Sequence, residues 1–327
     1  MEPYIQFRGD SYEVAQHIRD ALEAAFDHFE IEFPQGSRPG FSDENVKIQK
    51  LVYRVAEDRG LPIIRTWYRY GQFEPYSIFR PSNMSAGPLE NPEGRVPAAD
   101  DPSGITRQEI MGYLIEEDLI DDWKKPLFEF LRENYEYWAA EDYRDIYLTN
   151  LQILETLEEI HQEEELIETA EHYVTSLKAP TMDLYYELNR HPAFGEEVQG
   201  HLRAFFDDLQ TALVSVAGKE DIRPTQVQAI RRASPVYHNY IWPWPAMLIS
   251  VNEARGPEAE LPQFTERGHE YITEYSQTYP NRRRDWKSEL SDADLVADPT
   301  EFQQVRGRVS KPMGALETAS LLGAGDE

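Results

Sequence analysis

Glutamate and histidine side chains recur on one predicted helical stretch at spacings that metal-binding helices use. Glu158 and His161 have the Glu-x-x-His spacing, which puts both on one helix face, and Glu168 and His172 follow four residues apart. Di-iron helical bundles use two Glu-x-x-His motifs and two further glutamates, all pointing into the core. This stretch contains only one copy, and a chain rich in glutamate produces this pattern on solvated helices too. A metal-dependent enzyme is therefore the alternative function.

A second stretch, residues 231–245, concentrates cationic and aromatic side chains. Trp, Tyr and Arg dominate the residues that contribute most to protein–protein binding, so this stretch is a candidate partner surface or pocket lining. Large aromatic side chains also account for much of the area buried in cores, so the alternative is an internal plug that closes a helical core. The candidate binding residues here are Arg231, Arg232, His238, Trp242 and Trp244.

The N-terminal third has its own basic and aromatic stretch. It favours a face that contacts a partner protein or a nucleic-acid backbone, because arginine and lysine neutralise phosphates and aromatic rings stack on bases. The alternative is that the arginines form ion pairs with Glu44, Glu57, Asp58 and Glu74 on a solvated surface. The candidate residues are Lys47, Arg54, Arg65, Trp67, Tyr68, Arg69 and Tyr70.

Composition limits what these residues can do. The 327-residue chain contains no cysteine, which excludes disulfides, thiolate metal sites and a cysteine nucleophile. Common nucleotide-binding, zinc-protease and serine-hydrolase motifs are absent from the sequence. We therefore expect no catalytic residues and no cofactor, and the motifs favour a binding protein over an enzyme.

The charge is strongly one-sided. Sixty Asp and Glu oppose 32 Lys and Arg, of which only eight are lysine, and the formal net charge is −28. Such a charge destabilises the compact state by self-repulsion unless salt screens it, and the Debye length falls to about 3 Å at 1 M salt. Abundant carboxylates with scarce lysine predict a protein of a salt-accumulating halophilic archaeon. An acidic protein from a low-salt organism is the alternative.

The same charge bears on partners and location. A duplex and an anionic membrane both repel an acidic chain, so nucleic acid is disfavoured as a partner and another protein is favoured. No apolar run reaches the roughly 18 residues of a membrane span, and the N-terminus lacks the basic and apolar segments of a signal peptide. The sequence predicts a cytoplasmic protein that does not bind membranes, in an oligomeric state that it leaves open.

Residues 50–71 carry a local resemblance. They read Lys-Leu-Val-Tyr in a predicted helix, then a Gly-Leu-Pro turn at Gly60, then a strand closing on Tyr68-Arg69-Tyr70-Gly71. This segment resembles the helix-and-wing part of Panacea-type (SocA-like) antitoxins and related winged-helix proteins. In those families a Gly-Pro pair follows the tyrosines, whereas Gly71 is followed by Gln72-Phe73 here. The resemblance covers about a tenth of the chain and implies a winged-helix-like module that grips a protein or DNA.

The elements that position these candidates are mostly helices. Apolar residues at three- and four-residue spacing predict helices from residue 12 to 29, from 42 to 59, and through most of 106–278, with Thr106 to Glu109 as a capping box and Pro180 as a helix end. Residues 63–70 read as a strand. The fold class is mainly α: a winged-helix-like module with a small β element, followed by a multi-helix domain.

These elements give four segments and one first hypothesis. We expect the winged-helix-like module at 1–80, a Pro- and Gly-rich loop or linker at 81–105, a helical domain at 106–280 and a flexible tail at 281–327. The first hypothesis is a non-catalytic regulatory or protein-interaction protein adapted to high salt. It is antitoxin-like or DNA-associated through its N-terminal module.

Overall fold

Helices form most of the protein in a computed structural model of the chain. The structure describes residues 11–33, 43–73, 75, 95–98, 101–191, 193–217 and 219–296. Its strands are three to six residues long, and its helices reach 32 residues. The predicted mainly-α fold class is therefore confirmed.

The chain divides into two compact units that differ from the predicted segments. The first unit combines the chain up to Leu151 with Trp242–Gln277, and the second combines Gln152–Ile241 with the chain from Thr278 onward. The predicted bounds of the module at 1–80 stay a prediction. Apolar residues of α1 and α2 share one core with Ile110 and Phe264, because neither segment can cover its own apolar face alone.

The first unit contains helices and two short hairpins. Its elements in chain order are α1 (Tyr12–His28), α2 (Asp43–Asp58), β1 (Thr66–Tyr68), β2 (Gly71–Phe73), β3 (Arg95–Ala98), β4 (Asp101–Thr106), α3 (Arg107–Glu116), α4 (Leu119–Asp122), α5 (Leu127–Trp138), the first part of α6 (Glu141–Gln162), and, after the second unit, α11 (Pro243–Asn252) and the first part of α12 (Leu261–Asp292).

The second unit contains helices and no strands in the residues that the structure describes. It contains the rest of α6, then α7 (Leu166–Arg190), α8 (Glu196–Ala217), α9 (Pro224–Arg231), α10 (Ala233–Val236), a π-helical turn (Tyr237–Ile241), and the end of α12. Helices α7 and α8 pack against each other along their length. Its core includes Leu209 and Leu213 of α8 together with Trp286 of α12.

The core of the first unit forms around α1. Its apolar stripe of Ile18, Leu22 and Phe26 is fully buried, as the three- and four-residue spacing predicts. This helix packs against α2 and α3. At its start, the backbone N–H and the hydroxyl of Ser11 both donate to one carboxylate oxygen of Glu260, at 2.8 Å each. The chain segment after Trp242 is thereby joined to the beginning of the chain.

Two of the sequence predictions concern the regions where the structure has its two hairpins. The first, β1–β2, follows α2 in the order that the winged-helix resemblance implies, but each strand has only three residues. The winged-helix assignment stays a prediction. The second hairpin, β3–β4, lies inside the predicted loop 81–105, where a bulge between Val96 and Ala98 accommodates the irregular residues. The rest of that loop lies outside the described residues.

Two helices continue through a proline, and at the first of these, Pro180, the sequence predicts a stop. Pro180 lies inside α7 and Pro280 inside α12, and both helices run on for ten residues or more. The predicted tail at 281–327 is consequently helical as far as Asp292. Trp286 within it is 1% exposed and donates from its indole N–H to the carbonyl of Ala229 at 2.9 Å. Burial of side chains such as Trp286 outweighs the loss of the one hydrogen bond that a proline removes from a helix. Residues 297–327 lie outside the described residues.

The capping box at the start of α3 is confirmed. The Glu109 backbone N–H donates to the Thr106 hydroxyl at 3.2 Å, and the Thr106 backbone N–H donates to the Glu109 carboxylate at 2.7 Å. Two N–H groups at the start of a helix are thus satisfied by local side chains, which is why the motif is visible in sequence.

Candidate functional site

The cations of α2 predicted for a basic face lie inside the first unit. Lys47 is 8% exposed, and its ammonium donates to the carbonyls of Trp123 and Lys125, at 2.9 and 2.5 Å. Burial lowers the pKa of this ammonium, while Asp43 and Glu44 oppose that effect. Lys47 therefore caps the chain after α4 instead of meeting solvent.

Arg54, two helical turns further along α2, is buried in the same way. It is 3% exposed, and one guanidinium nitrogen donates to the carboxylate of Asp122 at 2.7 Å. The guanidinium also lies over the rings of Phe130 and Trp138, at 5.4 and 5.3 Å from their centroids. Burial alone would raise the pKa of Asp122, but the hydrogen bonds from Lys125 and Arg54 hold it below its usual value.

Arg65 is half-buried and anchored on both its backbone and its side chain. Its backbone exchanges two hydrogen bonds with Arg255, at 2.8 Å each. Its guanidinium lies 2.5 Å from the carboxylate of Glu57 and donates to the carbonyl of Ala56 at 3.0 Å. The pairing with Glu57 is one of those that the surface ion-pair alternative names.

The aromatic residues predicted beside these cations are internal. Trp67 and Tyr68 in β1 are 4% and 2% exposed, Arg69 is 1% exposed, and Tyr70 is half-buried. Gly71 begins β2 with a φ of +84°, and a Cβ there would lie 2.5 Å from the ring of Tyr135, so this turn fits only glycine. These side chains do not form an exposed recognition surface.

The tertiary structure brings Trp242 into the same interior. The Trp242 indole N–H donates to the carbonyl of Arg69 at 2.8 Å, and its ring lies edge-on to Tyr147 with centroids 5.8 Å apart. The ring centroid of Tyr147 lies 5.3 Å from that of Trp67, and the Tyr147 hydroxyl donates to the carbonyl of Tyr68 at 2.8 Å. Two sequence stretches predicted as separate surfaces therefore meet in one aromatic core.

The chemistry of this core is structural. Burial raises the pKa of the Tyr147 and Tyr135 phenols well above the usual value for tyrosine, and raises that of Tyr53 to about 12. Neutral phenols that are out of contact with solvent stabilise the unit by packing and hydrogen bonding. Trp244 is also buried, at 3% exposure. Trp242 and Trp244 both lie in the core, as the core-plug alternative predicts.

The remaining residues of the second stretch lie in the second unit. Arg231 is half-buried and donates to the carbonyl of Glu163. Arg232 is exposed and forms an ion pair with Glu289 of α12. His238 is half-buried in the π-helical turn. The two arginines therefore join the end of α9 to the loop after α6 and to α12.

The structure does not bring the four predicted metal ligands together in one cluster. His161 faces the carbonyl of Arg231 at 3.0 Å, and His172 lies 3.4 Å from the hydroxyl of Ser176. Glu158 accepts from Gln162 at 2.7 Å, and Glu168 is exposed on α7. In the part of the chain that the structure describes, no group of three or more His, Asp or Glu could hold a metal ion.

Exposed aromatic and large apolar residues other than the predicted site residues lie elsewhere. Tyr137 and Trp138 at the end of α5 are 76% and 38% exposed, and Met182 and Tyr186 on α7 are 60% and 62% exposed. The available signal was periodicity: Tyr137, Met182 and Tyr186 fall off the apolar stripe that predicts each helix's buried face. A large apolar residue off that stripe has to be exposed.

The charges are distributed unevenly between interior and surface. Among the described residues, the buried cations are Arg19, Lys47, Lys50, Arg54 and Arg69, whereas Glu260 is the only buried carboxylate. Burying cations removes positive charge from a surface that already has too little of it. The solvent-facing surface is therefore more acidic than the composition alone indicates.

Comparison with known proteins places the chain in a family. Residues 5–321 match the model of a family described as a domain of unknown function (DUF8098). No curated protein and no solved structure matches the chain. None of the described helices combines the length and the apolar character needed to cross a membrane.

Proposed function

The chain belongs to the DUF8098 family, and from that premise we propose that it is a non-catalytic protein-interaction protein with a regulatory role, adapted to high salt. The proposal includes a cytoplasmic location in a halophilic archaeon. The observation that carries it is the placement of charge: cations are buried and carboxylates face solvent.

This placement supports adaptation to salt for a physical reason. In the described part of the chain, five cations and one carboxylate are buried, so its solvent-facing surface has a larger excess of negative charge than its composition. Repulsion among surface carboxylates destabilises the folded state, and its range falls to about 3 Å when salt reaches 1 M. A protein with this surface gains stability as salt rises.

An exposed aromatic pair in the first unit supports protein interaction. Tyr137 is 76% exposed, and Trp138 beside it is held by the guanidinium of Arg54. Tyrosine and tryptophan supply large contact areas with few rotatable bonds, so they are favoured at binding surfaces. Glu136 and Glu141 flank the pair and are exposed, so we propose a partner surface with an apolar pocket and cations at its rim.

The antitoxin-like role stays a prediction from the resemblance at residues 50–71. Burial of Lys47, Arg54 and Arg69 removes these three side chains from any DNA-binding face. We therefore propose a protein, and not DNA, as the partner.

Salt adaptation is tested by far-UV circular dichroism during a KCl titration. We expect cooperative loss of helix as KCl is lowered from molar concentrations towards about 50 mM, because the Debye length grows to more than 10 Å. The protein should refold when KCl is restored. Full cooperative folding at about 50 mM KCl would contradict this part of the proposal.

Protein interaction is tested by affinity capture from the host's own extract at the KCl concentration that keeps the protein folded. Immobilised wild type should retain a partner in stoichiometric amount, and Tyr137→Ser should lose it. Phe29→Ser, at another exposed aromatic residue of the same unit, is the matched control and should retain the partner. Equal retention by wild type and Tyr137→Ser, or no stoichiometric partner with the wild type, would overturn the proposed surface.

A further inference from the structure

Arginine side chains lie over tyrosine rings at several places on the surface. Five tyrosines with exposed or half-buried side chains each have a guanidinium carbon 4.9 to 5.9 Å from the ring centroid, and the cation is arginine in every case. A guanidinium is attracted by the negative face of an aromatic ring. Examples are Arg59 over Tyr113, Arg190 over Tyr186 and Arg267 over Tyr271.

Tyr137 differs from these five tyrosines. Its side chain is 76% exposed, the largest exposed fraction among the tyrosines that the structure describes. No arginine or lysine of the described residues lies over its ring. The ring of the neighbouring Trp138, by contrast, has the buried guanidinium of Arg54 at 5.3 Å from its centroid. The tyrosine ring with the largest exposed fraction therefore has no cation from the described part of the chain.

The surroundings of Tyr137 favour a cation. Four exposed carboxylates lie within eight residues of it along the chain, whereas residues 133–145 contain a single cation, Arg144, which donates to the carbonyl of Ala139 at 3.0 Å. Tyr137 also lies in the last turn of α5, which contains no basic side chain, and the carbonyl end of a helix carries a partial negative charge. The four carboxylates are Glu136, Glu141, Asp142 and Asp145.

Arginine suits this place better than lysine. Its guanidinium is planar and weakly hydrated, so it can stack on a ring while its N–H groups donate to carboxylates beside the ring, whereas an ammonium is compact and strongly hydrated. In molar salt the Debye length is about 3 Å, so exposed charges attract each other only at close range. A guanidinium in contact with the ring keeps its attraction under these conditions.

We propose that the protein partner presents an arginine whose guanidinium stacks on the exposed face of the Tyr137 ring. Its N–H groups donate to the carboxylates between Glu136 and Asp145. This inference rests on the proposed function, because it names the side chain that the partner brings to the surface around Tyr137. An apolar side chain of the partner would leave these carboxylates without a counter-charge, so the charge of the surface selects a cationic one.

The test uses a defined probe, a fluorescein-labelled peptide of repeated Gly-Ser-Arg units, and measures its fluorescence anisotropy at the lowest KCl concentration at which circular dichroism shows full folding. In two matched peptides, lysine keeps the charge of arginine, and citrulline keeps its planar shape without the charge. We expect the arginine peptide to bind the wild type about fivefold more tightly than either matched peptide. Equal binding of the lysine peptide would overturn the inference, because charge alone would then be recognised.

Variants of Tyr137 separate the aromatic ring from its apolar area. Tyr137→Phe keeps the ring face and should bind the arginine peptide as the wild type does. Tyr137→Leu keeps an apolar side chain without that face and should weaken binding by about fivefold, as should Tyr137→Ser. Tyr186→Ser is the matched control and should leave binding unchanged, since Tyr186 is 62% exposed but already has Arg190 over its ring. Wild-type binding by Tyr137→Leu would overturn the stacked arginine.

The peptides and the capture from extract can fail separately. Capture measures whether a natural partner needs Tyr137, whereas the peptides measure which side chain its ring prefers. A partner that is retained by the wild type and by Tyr137→Leu but lost by Tyr137→Ser would overturn the arginine and leave the proposed function standing. An arginine peptide that needs the Tyr137 ring, without any captured partner, would overturn the proposed partner surface and leave the preference for arginine in place.

Discussion

The two units of the protein treat charge in different ways. Among the described residues, the first unit buries five cations and Glu260, whereas the second buries only uncharged polar residues and His201. Cations of the second unit, such as Arg190 and Arg232, are exposed instead. The same residue type is thus a core component in one unit and a surface component in the other.

The difference follows from the hydrogen-bond acceptors and aromatic rings that surround the cations in each unit. Lys47 meets two carbonyls after α4, and Arg54 meets Asp122 and two aromatic rings, so removal of these cations from water is offset by hydrogen bonds and ring contacts. Carbonyls of the second unit accept from side chains as well, but those of Ala229 and Tyr240 accept from an indole and an imidazole. The comparison teaches that a cation is buried where carbonyls, a carboxylate or aromatic rings surround it.

The largest effect should come from Arg54→Ala. We expect the free energy of unfolding to fall by about 3 kcal/mol, because Asp122 loses a partner while it remains partly buried and two rings lose a contact. Urea denaturation in high KCl measures it. A loss below about 1 kcal/mol would show that the buried arginine behaves like a surface one and would remove the contrast between the units.

A nearly equal effect should come from acid in the second unit. His201 is 7% exposed, its ring donates to the carbonyl of Tyr240 at 3.1 Å, and burial lowers its pKa from 6.5 to about 4. The unfolded chain therefore binds a proton that the folded chain does not between pH 6.5 and 4. Stability present above pH 6.5 is lost as the pH falls to about 4, by about 3 kcal/mol.

The pH effect of His201 is isolated by comparing variants. Urea denaturation at pH 7 and pH 4 should give a smaller drop in His201→Gln than in the wild type. His161→Gln, at an exposed histidine of the same unit, should keep the wild-type drop. An identical drop in all three proteins would show that the interior of the second unit accepts a charge as the first does.

A smaller effect is expected for Lys47→Met. The substitution keeps the apolar stem but leaves the carbonyls of Trp123 and Lys125 without their ammonium donor, at a cost of about 2 kcal/mol. Thermal unfolding in high KCl measures the change. A variant as stable as the wild type would mean that water replaces the ammonium, and that this cation is not fixed by the carbonyls.

The smallest effect should come from Arg232→Ala in the second unit. Its ion pair with Glu289 joins side chains that are 50% and 38% exposed, so we expect a change within about 0.5 kcal/mol. Urea denaturation under the conditions used for Arg54→Ala allows direct comparison. A loss as large as that of Arg54→Ala would mean that exposure does not separate the two kinds of cation.

Local sequence signals predicted local structure well and the candidate site poorly. The Thr106–Glu109 capping box and the stripe of α1 involve groups within one or two turns, and both are present. The predicted stop at Pro180 is wrong, since packing of Leu177 and Leu184 holds α7 together across the proline. The aromatic residues are predicted as binding residues from residue type alone, and residue type does not distinguish a core position from a surface position.

The sequence by itself determined the mainly-α fold class, the absence of cysteine chemistry and the excess of carboxylates, because these depend on composition and on spacing within single helices. Only the tertiary structure decided that Trp67 and Trp242 share one core, that Lys47 and Arg54 are internal, and that Met182 and Tyr186 are exposed. Burial depends on partners that are distant in sequence, such as Asp122 for Arg54, and no local pattern specifies them.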